Sequence, residues 1–362
     1  NALEYYLKVL EIAPRDVKIH HKLGNCYFIL KNYEKSVEAY KRFLMIHSRD
    51  FPAWNQIGAV YIELKDYPNA IKALEKAKEG LPDNPEIWIN LGNCYQFMKE
   101  FSKAIACFET AIKLSSNAHS AWYSMGVLYY DHMEFYDKGL KCFEKVIALE
   151  PGNYQAWFRI GKHYQNKKDE GKAAECFKKA VEIDPSFGEG WLEFGKVLFA
   201  TSKFDRAIIC FQNYLSLSEE NNFSTQSTLI INTSTGHEVS TNSEVFQSLG
   251  KCYFETNDYQ KSFEAYKKAL SEASDPSTDW LKIANRFEKK EAFEQVAQCY
   301  AVALEAKPND YLIWKKLGIS SIKAGYYEKA LEALKKAYEL YPSDSDISYN
   351  LGLVYTYLGD LE

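Results

Sequence analysis

"WNQIGAVY", residues 54–61, sets Trp54, Ile57, Gly58 and Tyr61 at i, i+3, i+4 and i+7. That spacing gathers side chains on one face of an α-helix. The string returns as WINLGNCY at 88–95, WYSMGVLY at 122–129 and WFRIGKHY at 157–164. Fainter copies are WLEFGKVL at Trp191, FQSLGKCY at Phe246, WLKIANRF at Trp280 and WKKLGISS at Trp314. From Trp54 through Trp88 to Trp122 each interval is 34 residues, and Trp122 to Trp157 is 35. The interval is 34 again from Trp157 to Trp191 and from Phe246 through Trp280 to Trp314.

A second apolar set follows each copy, as in Ala70, Leu74, Ala77 and Pro82, or Ala173, Phe177, Ala180 and Pro185. Two short amphipathic helices closed by Pro form a hairpin that cannot bury its apolar faces alone, so it must stack on its neighbours. The chain thereby resembles the tetratricopeptide repeat family, whose signature is a 34-residue period with Trp, Leu-Gly, Tyr, Ala, Phe and Pro in fixed order. The resemblance implies an all-α fold, a right-handed α-α superhelix of helical hairpins. Counted from three residues before the Trp, full repeats start at Val17, Phe51, Pro85, His119, Tyr154, Gly188, Ser243, Ser277 and Tyr311. A second-helix remnant (Ala2, Tyr6, Val9, Pro14) precedes them and a first-helix remnant (Leu351, Gly352, Tyr355) follows. Both ends fall mid-hairpin, which reads as a piece of a longer protein. Gly or Ala at position 8 and Ala at positions 20 and 27 let backbones approach, while large residues at 4, 7, 11 and 24 fill the space between hairpins.

After Gly188 the next unit falls due at residue 222 and starts at Ser243, 21 residues late. The extra chain lies between two hairpins, where a longer loop costs only a slowly growing closure entropy. Residues 221–242 hold no Lys or Arg and many Ser, Thr and Asn. We expect an unstructured loop over 220–242, separating a first array (1–219) from a second (243–362) that continues it. Its Ser/Thr density suits phosphorylation, and its TLIIN stretch suits pairing or docking. Asn222 and Asn232 are formal glycosylation acceptors.

Hydrophobic residues make up 46% of the 362 and charged residues 26%, with 27 Tyr and 21 Phe. This is the balance of a folded protein. No apolar run approaches the length of a membrane span. The net charge of −5 argues against a surface tuned for nucleic acid. The eight Cys keep repeat phase: Cys26, Cys94 and Cys252 at position 10, and Cys107, Cys142, Cys176, Cys210 and Cys299 at position 23. They read as small packing residues in a reducing compartment, cytoplasmic or nuclear. No metal-ligand spacing, cofactor motif or nucleophile motif occurs, so we expect no catalysis, no metal and no cofactor in this segment.

The resemblance further implies that first-helix positions 2, 5, 6, 9, 12 and 13 face a concave ligand groove. The N-terminal lining would be neutral amides, among them Asn25, Asn55, Asn90 and Asn93, able to bond a peptide backbone. The middle would be aromatic and apolar: Tyr123, Val127, Tyr130, Phe158, Leu192 and Phe199. Toward the C-terminus it turns basic, with Arg159, Lys162, Lys196, Lys251, Lys282, Lys315 and Lys316 beside Asn285. The family's carboxylate clamp is incomplete, since His21 and Gln56 replace its Lys and Asn. Its transferase asparagine ladder is matched only at Asn90 and Asn350. The expected role is a non-enzymatic scaffold in a multiprotein complex, binding an extended or helical protein segment, acidic toward the C-terminal half. The alternative is the substrate-recruiting arm of a larger enzyme, for example a transferase, whose catalytic domain lies outside the segment.

Overall fold

The computed structural model describes residues 2–12, 16–220, 230–231, 238–239, 241–271, 273 and 275–359. They form two compact units, Asn1–Asp184 and Pro185–Glu362. In the first, α1 (Ala2–Ile12) precedes four hairpins: α2 (Val17–Ile29) with α3 (Tyr33–Ile46), α4 (Phe51–Glu63) with α5 (Tyr67–Gly80), α6 (Pro85–Phe97) with α7 (Phe101–Leu114), and α8 (His119–Val127) with α9 (Tyr136–Leu149). A fifth pairs α10 (Tyr154–Asn166) with α11 (Glu170–Ile183). The second unit holds α12 (Gly188–Ala200) with α13 (Phe204–Glu220), α14 (Thr241–Glu255) with α15 (Tyr259–Ala269), and α16 (Ser277–Glu288) with α17 (Phe293–Ala306). It continues with α18 (Tyr311–Lys323), α19 (Tyr327–Leu340) and α20 (Ser345–Leu358). Eight of the nine expected repeat starts are first residues of helices, and the ninth, Ser243, lies two residues inside α14.

Sequence phase becomes structure through three local devices. Asp or Asn residues cap many helices: Asp50 accepts from the Ala53 N–H and Asn153 from the Ala156 N–H, both at 2.9 Å, filling donors that the first turn leaves open. The Trp at position 4 reaches back six residues, and Trp88 donates its indole N–H to the Pro82 carbonyl at 2.8 Å. Trp54, Trp157, Trp191 and Trp314 do the same to Ser48, Pro151, Pro185 and Pro308. The bond ties the end of one hairpin to the start of the next, which explains the pairing of Trp with Pro in the signature. Finally, the Gly at position 8 meets the large residue at position 24. A Cβ on Gly92 would stand 2.5 Å from the Phe108 ring, and one on Gly161 2.7 Å from Phe177.

Within each hairpin a residue of left-handed conformation makes the turn at position 15: Lys31, Lys65, Lys99, Lys168, Ser202, Asn257, Glu291 and Gly325. The repeat that spans 35 residues differs, for its turn residue is Glu134, at position 16. The extra residue sits upstream, where Leu128–His132 winds as a π-helix. A wider turn absorbs one residue without breaking the helix.

The cysteines at positions 10 and 23 pack as small core residues. Cys94, Cys107, Cys142, Cys176, Cys210, Cys252 and Cys299 are buried and Cys26 half-buried, all as free thiols. In the second unit one apolar cluster joins Leu192, Phe211 and Leu215 to Val245 and Leu249, so the core runs across the inserted segment. Of that segment, Ile230–Ile231 pairs antiparallel with Glu238–Val239. At the edges of the loop expected over 220–242, Glu220 ends α13 and Thr241 starts α14, so those ends are helical; residues 221–229, 232–237 and 240 lie outside the described residues.

Candidate functional site

First-helix residues expected to line a groove divide by burial and by pairing. Tyr130, Phe158 and Leu192, expected as exposed apolar contacts, are 9%, 7% and 8% exposed and belong to the core. Tyr130 and Phe158 lean back on the ring at position 24 of their own hairpin, Tyr130 on Phe143 at 6.2 Å and Phe158 on Phe177 at 5.5 Å between centroids. Leu192 joins the Phe211 cluster. A large apolar side chain on a solvated face loses water contact by folding onto the nearest core ring. Tyr123 and Val127 pack half-buried against the same core.

Several of the cations are neutralised within the chain. Arg159 pairs with Asp131 at 3.0 Å, Lys196 with Glu193 at 3.0 Å and Lys282 with Asp279 at 2.9 Å. Lys315 lies 2.8 Å from Asp344 and 3.1 Å from Asp346. Lys162 is half-buried, and Lys316 extends over the Tyr300 ring at 5.9 Å. Among the amides, Asn25 accepts from the Tyr40 hydroxyl. Asn55 Oδ1 is buried without a hydrogen-bond partner among the described residues. Asn90 and Asn93 are half-buried, and Asn285 is exposed. His21 and Gln56 bond each other at 2.7 Å.

What remains converges in the second unit. A cavity of about 420 Å³ opens at the C-terminal ends of α12, α14 and α16. Phe199, Phe204, Phe254 and Tyr266 form its aromatic wall, and Lys251, Arg286, Lys289 and Lys290 bring four cations against one acid, Glu255. The wall is held by packing: Phe199 meets Phe204 at 5.8 Å, and Phe254 meets the fully buried Phe287 at 5.5 Å. Arg286 donates to the Tyr266 hydroxyl at 3.5 Å, and Lys290 lies 5.8 Å from the Phe254 ring centre. Burial and the neighbouring Arg286 guanidinium hold the Lys251 ammonium below its ordinary range. Three helix C-termini add about half a negative charge each, which together with Glu255 still leaves the cleft positive.

Sequence spacing placed Phe199 and Lys251 on this face, and the same rule puts Glu255 and Lys289 there at position 13 of their repeats. It missed Arg286, which stands at position 10 and enters the cleft through its long side chain. It also missed Phe204, Tyr266 and Lys290, which come from second helices and a turn. Among the described residues no group of His, Cys, Asp and Glu gathers to hold a metal ion, and no helix is long and apolar enough to cross a membrane.

Comparison with known proteins places this geometry in a family. Tetratricopeptide repeat models match residues 5–38, 51–79, 85–117, 154–187, 243–276 and 311–344, together more than half of the chain. The chain is 37% identical over 73 residues to the peroxisomal targeting signal receptor of Kluyveromyces lactis, a match covering 20% of this chain and 13% of that protein. It is 29% identical over 114 residues to the BBSome complex member BBS4 of Bos taurus, covering 32% and 22%. These matches thus span less than a quarter of either relative. The solved C-terminal part of a TPR repeat-containing protein from Cytophaga hutchinsonii superposes with a TM-score of 0.53 at 18% identity, covering 69% of this chain and 94% of that one, a likeness of fold. Repeat models, period and hairpin geometry agree, and the chain belongs to the tetratricopeptide repeat family.

Proposed function

We propose that this chain is a non-enzymatic protein-interaction scaffold that takes an acidic segment of a partner protein against the first helices of its second unit, within a multiprotein complex. One observation carries the reading: Lys251, Arg286 and Lys289 share a cleft with one acid, Glu255, and among the described residues none of the three forms an ion pair, while Arg159, Lys196, Lys282 and Lys315 do. Cations left unopposed beside a fixed aromatic wall offer both orientation and contact area to an acidic, partly apolar segment. The family supports the reading, and one relative is by name a receptor for a targeting signal.

The test is retention of the chain on immobilised degenerate peptides enriched in Glu, Gln or Lys. The acidic pool is expected to retain the wild type, to release it as salt screens the contact, and to fail with an Arg286→Gln, Lys289→Gln double variant. Equal retention on all three pools, or undiminished retention of the variant, overturns the proposal.

A further inference from the structure

The cleft's chemistry is more particular than a basic groove. Its cations come from two helices: Lys251 from α14, and Arg286, Lys289 and Lys290 from the last turn of α16 and the turn behind it. They close on one cavity, and a single carboxylate has too little charge and too few oxygens to answer them. A phosphoryl group carries a charge of about −1.5 to −2 and three acceptor oxygens. Arg286 is suited to grip it through its planar fork and the lysines as point charges. The cavity also has a body as well as a rim. Phe199, Phe204 and Phe254 give it an apolar wall, held by the edge-on contacts of Phe199 with Phe204 and of Phe254 with the buried Phe287, against which a flat ring can pack.

Resting on the reading of the cleft as an acidic-segment site, we propose that it is a receptor for phosphotyrosine in a partner protein, the aryl ring against Phe199 and Phe254 and the phosphate among Lys251, Arg286 and Lys289. The volume of about 420 Å³ is at the small end of ligand cavities, the scale of one side chain rather than a folded surface. The low proton affinity of Lys251 fits the same picture: burial and Arg286 disfavour its charge in the empty cleft, and a dianion restores it. A protein segment is preferred over single-stranded nucleic acid, which uses the same ring and phosphate chemistry, because the chain is acidic overall at −5.

The test is fluorescence anisotropy of the 362-residue chain with four degenerate peptide pools that share flanks and differ at the centre: phosphotyrosine, tyrosine, phosphoserine and glutamate. A uridine oligonucleotide is the fifth probe. The expected result is binding of the phosphotyrosine pool at least about tenfold tighter than any other probe, consistent with charge-assisted bidentate contact. That preference is expected to vanish in Arg286→Gln and in Lys289→Gln, both exposed side chains whose loss leaves the core intact. Equal affinity for glutamate and phosphotyrosine overturns the phosphotyrosine proposal while the acidic-segment reading stands. Equal affinity for phosphoserine removes the role of the aromatic wall, and tighter oligonucleotide binding transfers the cleft to nucleic acid; each overturns the proposal. Failure of every probe overturns this proposal and the reading beneath it.

Discussion

Arg159 holds both carboxylate oxygens of Asp131 at 3.0 Å, across 28 residues of sequence. Asp131 lies in the π-helical turn that accommodates the extra residue of its repeat. A cation on the expected ligand face is thus satisfied by the chain itself.

The contrast between Arg159 and Arg286 gives the first expectation. Both side chains of the Arg159–Asp131 pair are about one-third exposed, so the pair is worth less than about 1 kcal/mol. Arg159→Gln should leave affinity for an acidic peptide within about twofold, while Arg286→Gln, which removes a charge from the cleft, should weaken it about tenfold or more. Titration calorimetry on the two variants checks this.

The affinity should also depend on pH in a defined sense. Lys251 is held below its ordinary value of 10.5 by burial and by Arg286, and a bound anion raises it again, so binding takes up a proton in the window between the two values. Affinity falls as pH rises through that window. In the empty protein, stability rises with pH over the interval from the lowered value to 10.5, because the unfolded chain binds the extra proton. Comparing pH profiles of wild type and Lys251→Met isolates this group from Glu255, Tyr266, Lys289 and Lys290, which share the cleft.

Gly92 and Gly352 occupy the same repeat position in different surroundings. A methyl at Gly92 meets the Phe108 ring at 2.5 Å, and that ring is fully buried, whereas at Gly352 it meets nothing within 4 Å. Gly92→Ala is expected to cost about 1 kcal/mol, overpacking outweighing helix propensity. Gly352→Ala should gain about 0.5–1 kcal/mol. Urea midpoints of the two variants moving in the same direction would refute the packing account.

Trp88→Phe keeps an aromatic ring at position 4 but removes the indole N–H donated to Pro82 together with part of a half-buried ring packed on the core. We expect a loss of at least about 1 kcal/mol, the net worth of one hydrogen bond plus the apolar contact given up with the smaller ring, read by chemical denaturation. No loss would mean that the ring alone joins the hairpins.

Burial pushes the thiols of Cys107, Cys142 and Cys176 up to about 11 and those of Cys94, Cys210 and Cys252 up to about 12. Alkylation by iodoacetamide at pH 8 should therefore modify Cys26, the half-buried one, well before the rest, and all eight after denaturation. Mass spectrometry of the labelled peptides reads the order.

The fold was legible because its signals are local and repeated: Trp at position 4, Gly at 8 and the large residue at 24 specify contacts within one hairpin or between neighbours. The ligand face was legible only in outline. The pairs of Lys196 with Glu193 and Lys282 with Asp279 follow helix spacing, but those of Arg159 and Lys315 reach acids about 30 residues away, in a neighbouring hairpin, where spacing within one helix gives no guide. Tyr130 and Phe158 sit at inner-face positions, yet a ring within reach of Phe143 or Phe177 gains more by packing than by waiting in water. Arg286 escaped notice because its backbone position faces elsewhere and only its reach brings it to Tyr266.

The π-helical turn at Leu128–His132 has a bearing on how such a chain tolerates change. One surplus residue is taken up within about a turn and a half, Glu134 then makes the bend that Lys99 makes in the preceding hairpin, and Gly126 still meets Phe143. An insertion is silenced before it reaches the next hairpin. The 34-residue period is therefore kept by a checkpoint in each repeat, the fit of one glycine to one large side chain, and not by any count along the chain.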